Sequence, residues 1–453
     1  MTIIQQQREY FHQHFTKDVN FRKQQLKKLS ELLKKYNEEI KTAVYQDFKK
    51  SEFDILTTEI APLQESIHYY LKNLHRLAQP KKCKRDVKTI LAQPSIIYEP
   101  LGVTLIIGAW NYPFLLCLAP LIASMSAGNT AIVKPSEIAP HCAAVMKKII
   151  NENFPTEYIS VIEGGVETTT ELLAQKFDKI FYTGSSRVGK IVYQAAAQHL
   201  TPVCLELGGK SPTIITPSAN IDIATKRIVW GKFLNAGQTC IAPDYILVHQ
   251  SIHQEFIKSL IKRLKSFDYK DNSSEYCQII NDKNLNRLIN LIDEKKVIYG
   301  GNYNAQNRYL SPTILDNVNW EDKIMEDEIF GPLLPIIQYE NFNEIIDKIN
   351  QQEKPLAAYL FSDNQSEINQ FKNQLSFGGG CINDIMMHIT SEYLPFGGVG
   401  KSGIGSYHGE HGFKEFSHQK SVLKNTTWGE PNFKFPPYTP KKLNWLKRIF
   451  RMK

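Results

Sequence analysis

Cys240 closes the run Phe233-Leu234-Asn235-Ala236-Gly237-Gln238-Thr239-Cys240, and its thiol is a candidate nucleophile for a carbonyl carbon. A thiol attacks well once it is a thiolate, and the small residues Ala236 and Gly237 let substrate and backbone N–H groups approach the sulfur. Taken alone, Cys240 also reads as one more buried cysteine. Upstream, Val203-Cys204-Leu205-Glu206-Leu207-Gly208-Gly209-Lys210-Ser211-Pro212 places one carboxylate in a short apolar strand that ends in a glycine pair. Burying that charge is costly, so Glu206 is either paired or poised as a base with a raised pKa. Earlier still, Ile106-Ile107-Gly108-Ala109-Trp110-Asn111-Tyr112-Pro113-Phe114 sets an amide just past an apolar strand. Asn111 there is an oxyanion donor or a turn residue before Pro113. Nucleophile, base and oxyanion donor are the parts that acyl transfer through a thioester requires.

Residues so far apart in sequence need a scaffold that gathers them. Strand and helix patterns alternate through Val103 to Ile107, Leu115 to Ala127, Thr130 to Val133, Ala139 to Glu152 and Ile159 to Ile162, then Lys179 to Tyr182, Ser186 to His199 and Val203 to Leu207. Repeated βα units predict a doubly wound parallel sheet of nucleotide-binding type. The Gly-x-Gly-x-x-Gly fingerprint is missing. In its place Thr183-Gly184-Ser185-Ser186-Arg187-Val188-Gly189 follows a strand and opens a helix, the geometry of a pyrophosphate site and equally of a simple helix N-cap. A second α/β series runs from Ser211 to about Tyr393, with strands at Thr213 to Thr216, Tyr245 to His249 and Leu333 to Tyr339 and helices at His253 to Lys265 and Asn343 to Gln351. Before the first series, Asn20 to His75 is largely helical, with Leu26, Leu29, Leu32 and Leu33 on one face. Between Val87 and Pro100, Thr89 to Ala92 and Ser95 to Tyr98 flank Gln93-Pro94 and read as a hairpin. Ser421 to Lys424 is a late β-like run.

A chain of 453 residues outgrows a single core, so two or three domains are expected. The net charge of +8 is spread along the chain except at Lys81-Lys82-Cys83-Lys84-Arg85 and the C-terminus, which gives a nucleic-acid partner little support. The cysteines, 83, 117, 142, 204, 240, 277 and 381, are odd in number, scattered and without a Cys-x-x-Cys pair. They predict reduced thiols in a cytoplasmic compartment, with neither a disulfide framework nor a zinc or other metal site. Met1 to Phe11 lacks the apolar core of a signal peptide, and no stretch has the roughly 18 consecutive apolar residues of a membrane span.

Trp110-Asn111-Tyr112-Pro113, Val133-Lys134-Pro135-Ser136-Glu137, Tyr182-Thr183-Gly184-Ser185, Leu205-Glu206-Leu207-Gly208-Gly209-Lys210-Ser211-Pro212, Gly237-Gln238-Thr239-Cys240, Glu328-Ile329-Phe330-Gly331-Pro332 and Leu394-Pro395-Phe396-Gly397-Gly398 occur in this order. On these motifs, which span nearly the whole chain, the sequence resembles the NAD(P)-dependent aldehyde dehydrogenases, most closely their class 3 and fatty aldehyde dehydrogenase branch. The resemblance implies an α/β fold: a doubly wound nucleotide-binding domain over 1–86 and 102–207, an α/β catalytic domain over 208–393, a small β oligomerisation arm and bridging segments over 87–101 and 394–430, and a tail over 431–453. It implies oxidation of an aldehyde to a carboxylic acid through a thiohemiacetal and thioester on Cys240, with Asn111 and the Cys240 N–H holding the oxyanion and Glu206 activating water. It also implies that Trp110, Lys134, Glu137, Thr183, Gly184, Ser185, Gly189, Glu328 and Phe330 bind NAD, with NADP as the alternative. From the residues alone, Lys134 and Glu137 read equally as a charge pair at a helix start, and Glu328 as part of an acidic loop. Leu234 and Ser186 depart from the family pattern at non-catalytic places. The short segment before the first helices resembles class 3 enzymes and implies a homodimer.

Two other readings stand beside oxidation. A CoA-acylating enzyme would resolve the thioester with a thiol, and Glu206, a base placed for water, argues against it. A non-catalytic structural protein of the same fold would have no use for Cys240, Glu206 and Asn111 together. In the tail, Leu443, Leu446, Ile449 and Phe450 share one helical face, with Trp445 at its edge and Lys441, Lys447, Arg448 and Arg451 opposite. That pattern fits a basic amphipathic helix lying on an anionic membrane, or one packed on protein. The membrane-directed C-terminal segments of fatty aldehyde dehydrogenases imply peripheral attachment and long-chain substrates.

Overall fold

The computed structural model describes residues 2–86, 89–430 and 432–452. Val103–Ile107, Thr130–Lys134, Lys179–Thr183 and Val203–Glu206 are strands buried along their whole length, as apolar runs are when helices cover both faces of a parallel sheet. They lie in a six-stranded sheet ordered Gly403–Ile404, Val203–Glu206, Lys179–Thr183, Val103–Ile107, Thr130–Lys134, Ile159–Val161. Neighbours are parallel except at one edge, where Gly403–Ile404 runs antiparallel to Val203–Glu206. From Val103–Ile107 the chain winds outward through two strands, then returns to lay Lys179–Thr183 on the other side. The winding therefore reverses between these two central strands. Ligands bind at the carboxyl ends of strands beside such a reversal, and Asn111, Lys134, Thr183 and Glu206 all sit at or just past those ends.

A seven-stranded sheet follows, ordered Val297–Tyr299, Thr313–Leu315, Leu333–Tyr339, Tyr245–His249, Pro212–Ile215, Ala357–Phe361, Gly379–Ile382. Its pairs are parallel except Val297–Tyr299 with Thr313–Leu315, and the winding reverses between Pro212–Ile215 and Ala357–Phe361. Cys240 lies on the crossover between Pro212–Ile215 and Tyr245–His249, after helix Ile221–Phe233.

The N-terminal leucine face is formed as its spacing predicts: in helix Val19–Lys35, Leu26, Leu29, Leu32 and Leu33 are all buried. Helix Leu115–Ala127, directly after the Asn111 segment, is buried from Leu116 onward. These elements belong to one compact unit, 1–78 with 99–418.

A second compact unit comprises 79–98 and 419–453 and carries a three-stranded sheet ordered Lys81–Lys82, Gln93–Pro100, Ser417–Lys424. The expected hairpin at Thr89 to Tyr98 does not form. Thr89 is instead bonded to Asp86, each backbone N–H donating to the other's side chain at 2.9 and 3.0 Å, and Gln93–Pro100 is one uninterrupted strand paired antiparallel with Lys81–Lys82. Val87 and Lys88 lie outside the described residues. These side-chain-to-backbone bonds outcompeted the β propensity of Thr89 and Ile90. The tail forms helix Pro440–Ile449, where the Thr439 hydroxyl accepts the Lys442 N–H at 3.3 Å, and Leu443, Trp445 and Ile449 are exposed.

Candidate active site

The run before Cys240 is bent by two consecutive left-handed residues, Asn235 (φ 55°) and Ala236 (φ 50°). Such backbone is costly outside glycine and persists only where its surroundings fix it. Asn235 is fixed by its own amide, which donates to Asn111 O at 3.0 Å and Gln238 O at 3.1 Å. Gln238 in turn donates to Asn235 O and Gln278 O and accepts the Ile280 N–H at 2.9 Å. Gly237 (φ 73°) abuts the next loop so closely that a Cβ there would stand 2.3 Å from Gly331 O.

Asn111 is buried, and its Nδ2 donates to Gln238 O at 3.1 Å, while Tyr112 Oη and Thr239 Oγ1 are 2.6 Å apart. The segment of the candidate oxyanion donor is thus tied to the two residues that precede the candidate nucleophile. Glu206 ends its strand fully buried, with the Cys204 thiol donating to Oε1 at 3.7 Å and no hydrogen-bond partner for Oε2 among the described residues. Burial pushes its carboxyl well above the usual range, Glu415 raises it further, and the Cys204 bond opposes. Burial, then the carboxylates of Glu328 and Glu206, push the Cys240 thiol up to about 12, against the lowering effect of the Cys240 and Ile241 N–H groups. Burial and neighbouring carboxylates thus both favour the protonated forms of Cys240 and Glu206. Tyr112, Tyr359 and Tyr407 are buried and lie within electrostatic reach of Cys240, and Tyr359 Oη donates to Ile241 O at 2.6 Å.

On the other side of Cys240 lies the Glu328 loop. Burial and Asp244 raise Glu328 to about 8, against the Gly209 N–H, Lys210 and Arg287. A Cβ on Gly208 would stand 2.1 Å from Glu328 Oε2, so only glycine admits the carboxylate there. Phe330 (φ 49°) meets the Trp110 ring edge-on at 5.3 Å, bringing two more of the expected residues together. The sequence reading missed what braces this loop. Lys210 Nζ donates to Asp244 Oδ2 at 2.5 Å, Ile324 O at 3.0 Å and Asp327 O at 2.9 Å, while Asp244 Oδ1 accepts the Ile329 N–H at 2.9 Å. The signal was present, since Lys210 closes the Gly208-Gly209 motif.

A cavity of about 490 Å³ runs from Gly208, Gly209, Lys210 and Glu328 to Ser185, Arg187, Lys190 and Lys401. It fits a dinucleotide: Arg187, Lys190 and Lys401 line the end at the helix Ser186–Ala197 N-terminus, and just before that helix Thr183 Oγ1 is buried without a hydrogen-bond partner among the described residues. Ser185 caps that helix by accepting the Val188 N–H at 3.4 Å, so the N-cap expectation is met at a residue that also lines the cavity. Gly184 (φ 159°) precedes it, and Gly189 is buried against Leu207. Lys134 and Glu137 pair with each other at 2.7 Å, and neither belongs to the cavity lining.

Residues 2–422 match the sequence profile of the aldehyde dehydrogenase family. The chain belongs to that family. This aldehyde dehydrogenase is 45% identical to the 4,4'-diaponeurosporen-aldehyde dehydrogenase of Staphylococcus aureus, over 100% of both chains. It is 43% identical to aldehyde dehydrogenase family 3 member A2 of Rattus norvegicus, over 98% of this chain and 93% of the relative. A solved structure described as the substrate-bound state of Staphylococcus aureus AldH superposes with a TM-score of 0.97 at 45% identity, covering 99% of this chain and 98% of that one. The resemblance to the class 3 branch and the α/β fold it implied are therefore right. The enzyme is an oxidoreductase that oxidises aldehydes with NAD(P)+.

Proposed function

We propose that Cys240 is the nucleophile, Asn111 with the Cys240 N–H the oxyanion site, and Glu206 the base that resolves the thioester. The observation that carries this reading is the tie between the two loops, Asn111 Nδ2 to Gln238 O at 3.1 Å and Tyr112 to Thr239 at 2.6 Å, which joins the Asn111 segment to the residues just before Cys240. As the thiolate, its proton lost to solvent, the sulfur attacks the aldehyde carbon; the C=O π bond opens as the C–S bond forms, and the two N–H groups hold the resulting oxyanion. The bound dinucleotide supplies the hydride acceptor. Glu206 then takes a proton from water as the hydroxyl adds to the thioester carbon, and the C–S bond breaks to free the carboxylic acid and the thiolate. Cys240→Ala tests the assignment: turnover should vanish while NAD binding, followed by fluorescence titration, stays near that of the parent enzyme. Retained turnover would refute it.

On the cofactor side Trp110, Thr183, Gly184, Ser185, Gly189, Glu328 and Phe330 hold the dinucleotide, with Lys134 and Glu137 at its adenosine ribose. A carboxylate at that place accepts the 2′-hydroxyl and repels a 2′-phosphate, which favours NAD over NADP. For substrate we propose medium to long-chain or aromatic aldehydes, supported by the buried tyrosines near Cys240 and by the 4,4'-diaponeurosporen-aldehyde in the staphylococcal relative's name. The two parallel sheets then serve as dinucleotide-binding and catalytic domains over the ranges expected from sequence. A homodimer formed through the β arm is supported by strand Ser417–Lys424, a sheet edge that exposes Val422 and Leu423. We place the enzyme in the cytoplasm, its exposed helix Pro440–Ile449 giving peripheral contact with membranes. Among the described residues no helix is long and apolar enough to cross one.

A further inference from the structure

The segment that presents Asn111 is gripped from below by two fully buried charges that the mechanism does not use. Helix Asn37–Phe48 ends in a left-handed Lys49 (φ 57°), which turns the next residue, Lys50, into the core at 1% exposure. Lys50 Nζ donates to Asn111 O at 3.0 Å and lies 4.2 Å from the Tyr112 ring centre. Glu59, at 0% exposure, stands in a π-helical turn, Leu56–Ile60, a distortion often found at functional positions. Its Oε2 accepts the Leu115 N–H at 2.9 Å, and the Phe114 N–H also reaches it. Those N–H groups open helix Leu115–Ala127, whose N-cap residue Phe114 has no side chain able to cap it. Lys50 and Glu59 are 3.6 Å apart. One charge thus holds the start of the segment 111–115 and the other holds its end, while the Asn235 amide takes the second lone pair of Asn111 O at 3.0 Å.

Burying an ion pair is an expensive way to gain stability, because desolvation of both charges offsets their attraction. A pair placed against the backbone of a reacting amide is better explained by orientation, since a donor displaced by about 1 Å loses on the order of 10²-fold in rate. We propose that Lys50 and Glu59 are positioning residues of the oxyanion site, fixing the Asn111 backbone so that its Nδ2 faces the carbonyl oxygen carried on Cys240. The proposal rests on Asn111 being the oxyanion donor.

The test is a double-mutant cycle on the full-length enzyme, with two reactions as readouts: NAD-dependent aldehyde oxidation and cofactor-free hydrolysis of 4-nitrophenyl acetate, which passes through the same oxyanion. Lys50→Met should lower kcat about tenfold or more in both, by analogy with loss of an oxyanion donor. KM for NAD and the rate of Cys240 alkylation should stay within about twofold. In the Asn111→Ala background the same substitution should add less than about twofold, because its target is gone. Should Lys50→Met unfold the protein, Lys50→Met/Glu59→Leu removes both buried charges together and keeps the fold. It should show the same loss and the same non-additivity. A neutral Lys50→Met, or losses that multiply with Asn111→Ala, would overturn the proposal alone. An Asn111→Ala variant active in both reactions would overturn the donor assignment and this proposal with it.

Discussion

The Cys204 thiol donates to Glu206 Oε1 across 3.7 Å, two positions back along the same strand and on the same face of the sheet. With Oε2 unpartnered among the described residues, this weak donor is the hydrogen bond that supports the ionised base. Its removal should drive the Glu206 carboxyl further up. Cys204→Ala is therefore expected to move the rising limb of the deacylation rate to higher pH. An unmoved or acid-shifted limb in a stopped-flow pH series would count against the link.

Glu206 itself sets the sign of the pH dependence. Its carboxyl is raised above the ordinary range in the folded enzyme and must be ionised to act, so the steady-state rate should climb with pH as the proton leaves. In Glu206→Gln the limb should disappear. That variant should still acylate and pass on its hydride, giving one burst of NADH per active site and then a rate roughly 10²-fold or more below the parent. An unchanged steady state would point to another base.

Glu137 is held by Lys134 at 2.7 Å, a pair that can grip a ribose diol between anion and cation. Replacing Glu137 with Gln removes repulsion of a 2′-phosphate while leaving Lys134 to attract it. The ratio of kcat/KM for NADP over that for NAD should rise by about tenfold, the scale of one lost charge interaction of roughly 1.4 kcal/mol. A falling ratio would displace the adenosine ribose from this place.

Helix Pro440–Ile449 exposes apolar and basic side chains together, including Leu443 at 56%. Deleting Lys441 to Lys453 should weaken binding to anionic liposomes at low salt, with less difference at high salt, and should lower activity on long-chain aldehydes more than on short ones. Equal liposome binding and an unchanged chain-length profile would leave the helix a packing role.

Much of this enzyme was legible in its sequence because buried parallel strands are written as plain apolar runs. Val103–Ile107, Tyr245–His249 and Leu333–Tyr339 were read with the bounds they have in the fold. The candidate site residues could be picked out one by one because each sits in a short motif, several of them at strand ends as at Lys134, Thr183 and Glu206. What could not be read was the long-range bracing. Nothing near Lys50 or Glu59 in sequence announces that they meet under Asn111, and the pairing of Lys210 with Asp244 depends on how two loops return to one place. The failed hairpin has the same lesson at short range: Thr89 carries β propensity, but its bonds to Asp86 decided the backbone.

Strand Gly403–Ile404 completes the edge beside the base, with Gly403 paired to Glu206 and Ile404 to Leu205. During translation, which adds roughly 5–20 residues per second, the thiol of Cys240 leaves the ribosome well before that edge strand exists. Until that strand is made, the strand that carries Glu206 has no partner on this side. A product that ends before residue 403 would lack this pairing and leave the Glu206 strand with an open edge, so it is expected to lose activity outright and not in part.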